Sequence, residues 1–217
     1  MSNSITEISG TPQKARKVLI VCTVPTSRSG IPSVIFNLLS AIDRSGLQFH
    51  YVSISPMEPY FISLLNKLDI GYSVVPREIR HPLRYVNQMA RIGMGYDAIH
   101  VHGNSATMVL EMMAAHKAGI PLRIAHSHST SCNMKCIDRC ARPLFHMLCN
   151  SRIACSEASG KWLFGNRPFT LLKNAVDSHR FAFNPGRRNE MRAALGIEGC
   201  RVIGHVGNFL PVKNHDF

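Results

Sequence analysis

Short uninterrupted apolar runs alternate with longer amphipathic segments along this chain, and that alternation restricts the fold more than any other feature. Lys17-Val-Leu-Ile-Val-Cys-Thr23 is apolar from Val18 to Cys22, as expected of a strand buried on both faces. Ser29-Gly-Ile-Pro-Ser33 then opens a helix that runs to about Asp43, with Pro32 tolerated in its first turn. The pattern repeats. Strands are predicted at Gln48 to Ser53, Tyr72 to Val75, Ala98 to His102, Leu122 to Ala125, Arg152 to Cys155 and Thr170 to Leu172. Helices are predicted at Tyr60 to Leu68, Pro82 to Met94, Ala106 to Ala118 and Met134 to Cys149. Gly119 and Pro121 close the third of these, and Pro143 is expected to kink or split the fourth.

Strand–helix alternation at this spacing implies right-handed crossovers and a doubly wound parallel sheet, an α/β fold. Such sheets bind ligands in the crevice outside the carboxyl ends of their strands. The functional candidates are therefore the residues just after each strand: Ser27-Arg-Ser-Gly30, His100-Val-His-Gly-Asn-Ser105, His126-Ser-His-Ser-Thr130 and Ser156-Glu157.

Composition narrows the class. In 217 residues, 45% hydrophobic and 18% charged content describes a globular domain with one good core and some chain left over. No apolar stretch reaches the length of a membrane span, and residues 1–15 read as a polar tail without a secretory apolar segment. Seven cysteines, odd in number and unpaired in spacing, suit a reducing cytosol, so a cytoplasmic protein is expected. The net charge of +12 admits nucleic acid, an anionic membrane face or phosphorylated ligands. No aromatic-rich basic stripe or zinc finger appears, so nucleic acid is not expected as a partner.

Each strand-end segment has a chemical reading beside a structural one. Ser29 and Gly30 form a polar turn at a helix start, where free N–H groups and the helix dipole would hold a phosphate or a sugar hydroxyl. The alternative is an ordinary strand–helix turn. His100 and His102 fall on one side of a strand, and His126 and His128 on one side of its neighbour. Without a HExxH motif or a carboxylate at ligand spacing, they are expected to be neutral imidazoles that hydrogen-bond a ligand; no metal is expected. Satisfied structural histidines are the other reading. Cys132, Cys136 and Cys140 recur every four residues, which is not a usual zinc or iron–sulfur spacing, and core packing is expected. Arg77, Arg80, Arg84 and Arg91 surround the apolar Leu83, Val86 and Met89. They would rest on anionic lipid, or simply form a solvated helix face.

Taken in order, these segments resemble the retaining family 4 glycosyltransferases of GT-B fold, in the bacterial capsular and exopolysaccharide branch. Ser29-Gly-Ile-Pro-Ser-Val-Ile-Phe-Asn-Leu-Leu39 resembles the family's Gly-Gly turn and first helix. His100-Val-His-Gly-Asn-Ser-Ala-Thr107 and Arg123-Ile-Ala-His-Ser-His-Ser-Thr130 resemble that branch, and Arg152-Ile-Ala-Cys-Ser-Glu-Ala-Ser-Gly160 its "acS-x-x-a-g" step. Leu172-Lys-Asn-Ala-Val-Asp-Ser-His-Arg-Phe181 is similar to the "NGVD…F" interdomain passage, and Val202 to His215 to the "VGR…KNH" entry of the donor domain. The resemblance implies a Rossmann-like acceptor-side domain over residues 16–175, and a linker plus the first strand of a donor-binding domain over 176–217. The activity implied is transfer of a sugar from a nucleotide-diphosphate sugar, expected to be a UDP-sugar, to a glycan or lipid-linked acceptor. The enzyme would work at the inner face of the plasma membrane, without a cofactor. Gly30 and Ser29 would approach the donor phosphate, with Lys213 and Asn208 on the donor side. His126 or His128 would line the reacting sugar. His102, Asn104, Ser105, Ser156 and Glu157 would face the acceptor.

The sequence departs from the pattern in places. Ser29 replaces the usual first glycine, Pro32 a common Glu, Ala175 the linker glycine and Asn208 a diphosphate-binding Arg. The Glu-x7-Glu segment of the second domain does not occur before Phe217. The expectation is therefore a polypeptide that by itself turns over no nucleotide sugar. The alternative is a non-catalytic fragment that keeps acceptor or membrane contacts.

Overall fold

A computed structural model describes residues 15–78, 80–205 and 207. The chain divides between Val176 and Asp177 into two compact units. The first holds a seven-stranded, wholly parallel sheet in the order β3-β2-β1-β4-β5-β6-β7. Its strands are β1 (Arg16–Cys22), β2 (Leu47–Ser53), β3 (Gly71–Val74), β4 (Ala98–Gly103), β5 (Leu122–Ser127), β6 (Ser151–Ala154) and β7 (Thr170–Leu171). The helices are α1 (Gly30–Ala41), α2 (Pro59–Lys67), α3 (Pro82–Gly93), α4 (Val109–Lys117), α5 (Lys135–Leu148) and α6 (Glu157–Phe164). The doubly wound expectation holds.

Alternate side chains of β1 explain the two layers. Ile20 and Cys22 face α1 and α2, where Ile35, Phe36, Leu39, Phe61 and Leu65 close one core. Leu19 and Val21 face the opposite layer, where side chains of α3, α4, α5 and α6 pack into the larger core. The winding reverses between β1 and β4, so the ends of these two strands form a topological switch point. After β7 the chain returns past α1, where Asn37 Nδ2 donates to the Ala175 carbonyl at 3.0 Å.

Several local expectations change. The segment from Ala106 begins with a 3-10 turn, Ala106–Met108, before α4. β5 runs two residues further than expected and takes His126 into the sheet. α5 is one helix with Pro143 inside it, not two. Helix α6 was not predicted by periodicity: its eight residues are capped by Ser156 rather than announced by a long apolar stripe. In the second unit, α7 (Pro185–Ala194) starts at Asn184, whose side chain accepts from the Arg187 N–H at 2.9 Å. None of that unit's described residues is buried. The strand expected from Arg201 is not formed by residues 201–204; Val202 and Ile203 are exposed. A strand forms only beside a neighbour that takes its N–H and C=O groups.

Candidate functional site

Because every strand is parallel, the segments after β1, β4, β5 and β6 leave the sheet at the same edge. The β1 segment is fixed from below. Thr26 is buried and shares 2.9 Å hydrogen bonds with Tyr51 Oη and Ser53 Oγ. Its carbonyl accepts from the Glu58 N–H at 3.3 Å. Beyond it, Ser29 stands as the N-cap of α1 without a side-chain cap bond, and Gly30 begins the helix. A Cβ built on Gly30 would meet no atom within 4 Å, so the space above this helix start is open to a ligand. No acidic residue occupies the first turn of α1 to compete for an anion.

Four imidazoles converge on the sheet face that α1 covers. His100 and His102 lie on β4 in register with Ile20 and Cys22 of β1, and His102 is also paired in register with His126 of β5. Residues in register share a face, so the rings project to the α1 side of the sheet. His100 Nε2 and His126 Nδ1 share a hydrogen bond at 3.3 Å; His102 Nδ1 and His128 Nε2 share one at 3.0 Å. His126 stacks on His128 at 4.1 Å between centroids. His102 and His126 are buried, His100 and His128 half-buried. Two buried nitrogens, His126 Nε2 and His128 Nδ1, have no hydrogen-bond partner.

Desolvation sets the charge of this cluster. It lowers the His100 pKa to about 3, helped by His128, and that of His126 to about 2, helped by His128 and His100. His128 falls to about 4, and His102 lies well below the ordinary histidine value. All four are neutral imidazoles at pH 7, each with one N–H and one lone pair.

The β4 exit is held tightly. Thr23 donates its N–H and Oγ1 to the His102 carbonyl at 3.0 and 2.9 Å, and the His128 N–H donates to the Gly103 carbonyl at 3.0 Å. Residue 103 must be glycine, because a Cβ there would sit 2.5 Å from Thr23 Oγ1 and 2.8 Å from Met108 Sδ. Asn104 is half-buried at the crevice edge. Ser105 is buried, with its hydroxyl bonded to Thr107 Oγ1 at 2.8 Å. Ser156 is engaged in a capping box, accepting from the Ser159 N–H at 3.1 Å, and Glu157 is exposed in the first turn of α6. The hydroxyls of Ser105 and Ser156 thus have structural partners already. Asn208 and Lys213 lie outside the described residues.

Two expectations about other residues are corrected. Arg77 does not belong to a lipid-facing set. It is largely buried, with Nε 3.3 Å from the fully buried Glu111 carboxylate, and its guanidinium donates to the Thr107 carbonyl. Arg80, Arg84 and Arg91 remain exposed. Cys136 and Cys140 are not core residues, because α5 turns Asp138, Phe145 and Leu148 inward and leaves both thiols exposed. Sequence reasoning also passed over Asp138. Its carboxylate, buried under the β4 exit, accepts from the Ala106 N–H at 2.7 Å and from Arg142 Nε at 2.8 Å. An acidic residue four positions before an arginine on an amphipathic helix was the available signal.

No family model matches the chain. Over 209 residues it is 31% identical to EpsF of Bacillus subtilis (strain 168), provisionally named a glycosyltransferase, covering 88% of this chain and 54% of that protein. The crystal structure of Anabaena HepE in complex with UDP superposes with a TM-score of 0.71 at 18% identity, over 92% of this chain and 55% of that one. A glycosyltransferase from Rickettsia africae superposes with a TM-score of 0.61 at 12% identity, over 84% and 50%. The chain thus spans about half the length of these proteins. The Rossmann-like fold it shares with them is that of GT-B glycosyltransferases.

Proposed function

We propose that this chain supplies the acceptor-side residues of a glycosyltransferase that moves a sugar from a nucleotide-diphosphate sugar, a UDP-sugar, onto a growing polysaccharide or its lipid-linked precursor. The observation that carries the reading is the packing of neutral histidines at the β1/β4 switch point, on the sheet face covered by α1, whose own start is open. The likeness to EpsF and to UDP-bound HepE supports it. In this reading Gly30 and Ser29 receive the diphosphate through helix N–H groups. His128 is half-buried at the mouth of the cluster, whereas His126 lies fully inside it. His128 is therefore the ring that lines the reacting sugar, and His126 holds it by stacking. Neutral imidazole suits this role, since one ring nitrogen donates a hydrogen bond and the other accepts one. Asn104 faces the acceptor. Transfer proceeds with retention.

A second observation supports a lipid-linked acceptor. An apolar groove of about 400 Å³ runs between α3, α4 and α5, lined by Pro82, Val109, Leu110, Met134 and Ile137 among others. Pro82 also borders the neighbouring hollow of Arg80, His81, Leu83 and Arg84. Exposed Leu83 and Ile137 beside exposed arginines match the interface between acyl chains and anionic headgroups. The protein would then sit at the inner face of the plasma membrane.

The test joins this chain to the remaining length of EpsF and assays a panel of radiolabelled UDP-sugars with bacterial lipid extract. The chimera is expected to transfer sugar. His128→Ala is expected to lower kcat about a hundredfold with little change in donor KM. A folded chimera that binds UDP but transfers no sugar from any donor would overturn the reading.

A further inference from the structure

We propose that His100, His102 and His126 form a binding site for a borderline transition-metal ion of the Zn²⁺ class. One nitrogen from each of the three lies within 4.8 Å of those from the other two. Bonds of 2.0–2.1 Å in a tetrahedral site set an edge of about 3.3 Å between ligand nitrogens. The His100 Nε2 to His126 Nδ1 separation is already 3.3 Å, so modest ring rotation closes the set. Two adjacent parallel strands present the three rings, which makes the donors rigid.

The hydrogen bonds around the rings fit an ion. At 3.3 Å the His100 Nε2 to His126 Nδ1 contact is long for a hydrogen bond and equals the edge of a tetrahedral site. His102 is also placed as metal-bound histidines are: its Nδ1 bonds His128 Nε2 at 3.0 Å, which fixes the ring and leaves the other nitrogen for the ion.

The donor set selects the ion. Three imidazoles suit Zn²⁺, Co²⁺, Ni²⁺ or Cu²⁺, whereas Mg²⁺ and Ca²⁺ require oxygen ligands. The Cys22 thiol, in register with His102, donates instead to the Val24 carbonyl at 3.4 Å and is not a ligand. Half-buried His100 gives the ion a path in. Three neutral ligands leave the ion's charge uncompensated, so the fourth position favours hydroxide or a phosphate oxygen.

The test uses the untagged 217-residue chain after chelator treatment, titrated with Co²⁺ and then Zn²⁺, with no nucleotide present. It is therefore independent of the transferase reading. The expected result is one equivalent of Co²⁺ with the intense visible bands of a tetrahedral site, displaced by Zn²⁺. His100→Gln and His126→Gln should each weaken binding at least tenfold and collapse the bands. His146→Gln, in a half-buried imidazole outside the cluster, should change neither. Circular dichroism establishes that each variant is folded. Should a variant fail to fold, zinc-induced ¹⁵N shifts of the wild-type histidine rings decide the site. Affinity weaker than about 1 mM, an octahedral Co²⁺ spectrum, unchanged binding in folded His100→Gln and His126→Gln, or ring shifts confined to other histidines would overturn the proposal.

Discussion

The Asp138 carboxylate accepts a hydrogen bond from the Ala106 backbone N–H at 2.7 Å, across 32 residues of sequence. Its other oxygen takes the Arg142 guanidinium at 2.8 Å, and Arg142 lies over the Trp162 ring at 5.1 Å. One buried carboxylate thus ties α5 and α6 to the turn that follows His102 and Asn104. Asp138→Ala leaves the Ala106 donor without a partner and takes the carboxylate from Arg142, which keeps only the Trp162 and Leu163 carbonyls, and should cost about 3 kcal/mol. Asp138→Asn keeps an acceptor for Ala106 and should cost about half of that. Urea unfolding measures both. A loss under about 0.5 kcal/mol for the alanine variant would show that the tie does not hold the turn.

Arginines that look alike in sequence should behave oppositely. Arg77 neutralises Glu111, which is fully buried and also accepts from Tyr85 Oη at 2.7 Å. Arg77→Leu strands that charge and should cost about 3 kcal/mol or more. Arg84 and Arg91 are exposed, and the nearest acid to Arg84 is Glu78 at 3.9 Å. Arg84→Glu with Arg91→Glu should leave stability within about 0.5 kcal/mol. The same pair should reduce co-sedimentation with anionic vesicles at least tenfold, at about 1 kcal/mol per basic residue. Equal binding of wild type and double variant to anionic and neutral vesicles would remove the lipid-facing patch.

The sheet was legible because a strand buried on both faces must be apolar throughout, and Val18 to Cys22 can be little else. The pairing of His102 with His126 was legible as neighbouring strand ends, since alternation sends residues two apart to one side. What local pattern could not carry was partner choice. Nothing near Arg77 in sequence reveals that Glu111, on α4, neutralises it. Cys136 and Cys140 share a helical stripe, but periodicity does not say whether that stripe faces the core. The inward side is set by Asp138 and Phe145, and a buried acid is not a signal that hydrophobic patterning reads. The capping box at Ser156, the N-cap at Asn184 and the short helices they open follow from side chain–backbone bonds, which a search for apolar stripes passes over.

Thiol reactivity distinguishes the exposed face of α5 from the core. Cys136 and Cys140 are exposed, whereas Cys22 and Cys149 are buried and desolvation raises their pKa values. A thiol reagent at pH 8 should modify Cys136 and Cys140 within minutes. Cys22 and Cys149 should resist until the protein is unfolded. Mass spectrometry of labelled peptides gives the order. Cys136→Ala should change stability by less than about 0.5 kcal/mol, as for other exposed sites. Protection of Cys136 in the folded protein would mean that something covers this face.

The histidine cluster makes the fold acid-sensitive, with a sign that follows from its burial. Desolvation holds the folded-state pKa values of His100, His126 and His128 at about 3, 2 and 4, and that of His102 well below its ordinary value. In the unfolded chain each returns to about 6.5. Between these limits the unfolded state binds more protons, so stability is complete above about pH 6.5 and falls as pH drops below it. At pH 5.5 the loss is about 1.4 kcal/mol for each of the two fully buried rings, His102 and His126. Urea midpoints of chelator-treated protein should therefore decline from pH 7 to pH 5. In His126→Leu, which removes one titrating ring from the folded and unfolded states alike, the decline should be shallower by about that amount. Midpoints that stay level across this range, or an equal slope in the leucine variant, would show that the rings are solvated rather than packed against one another.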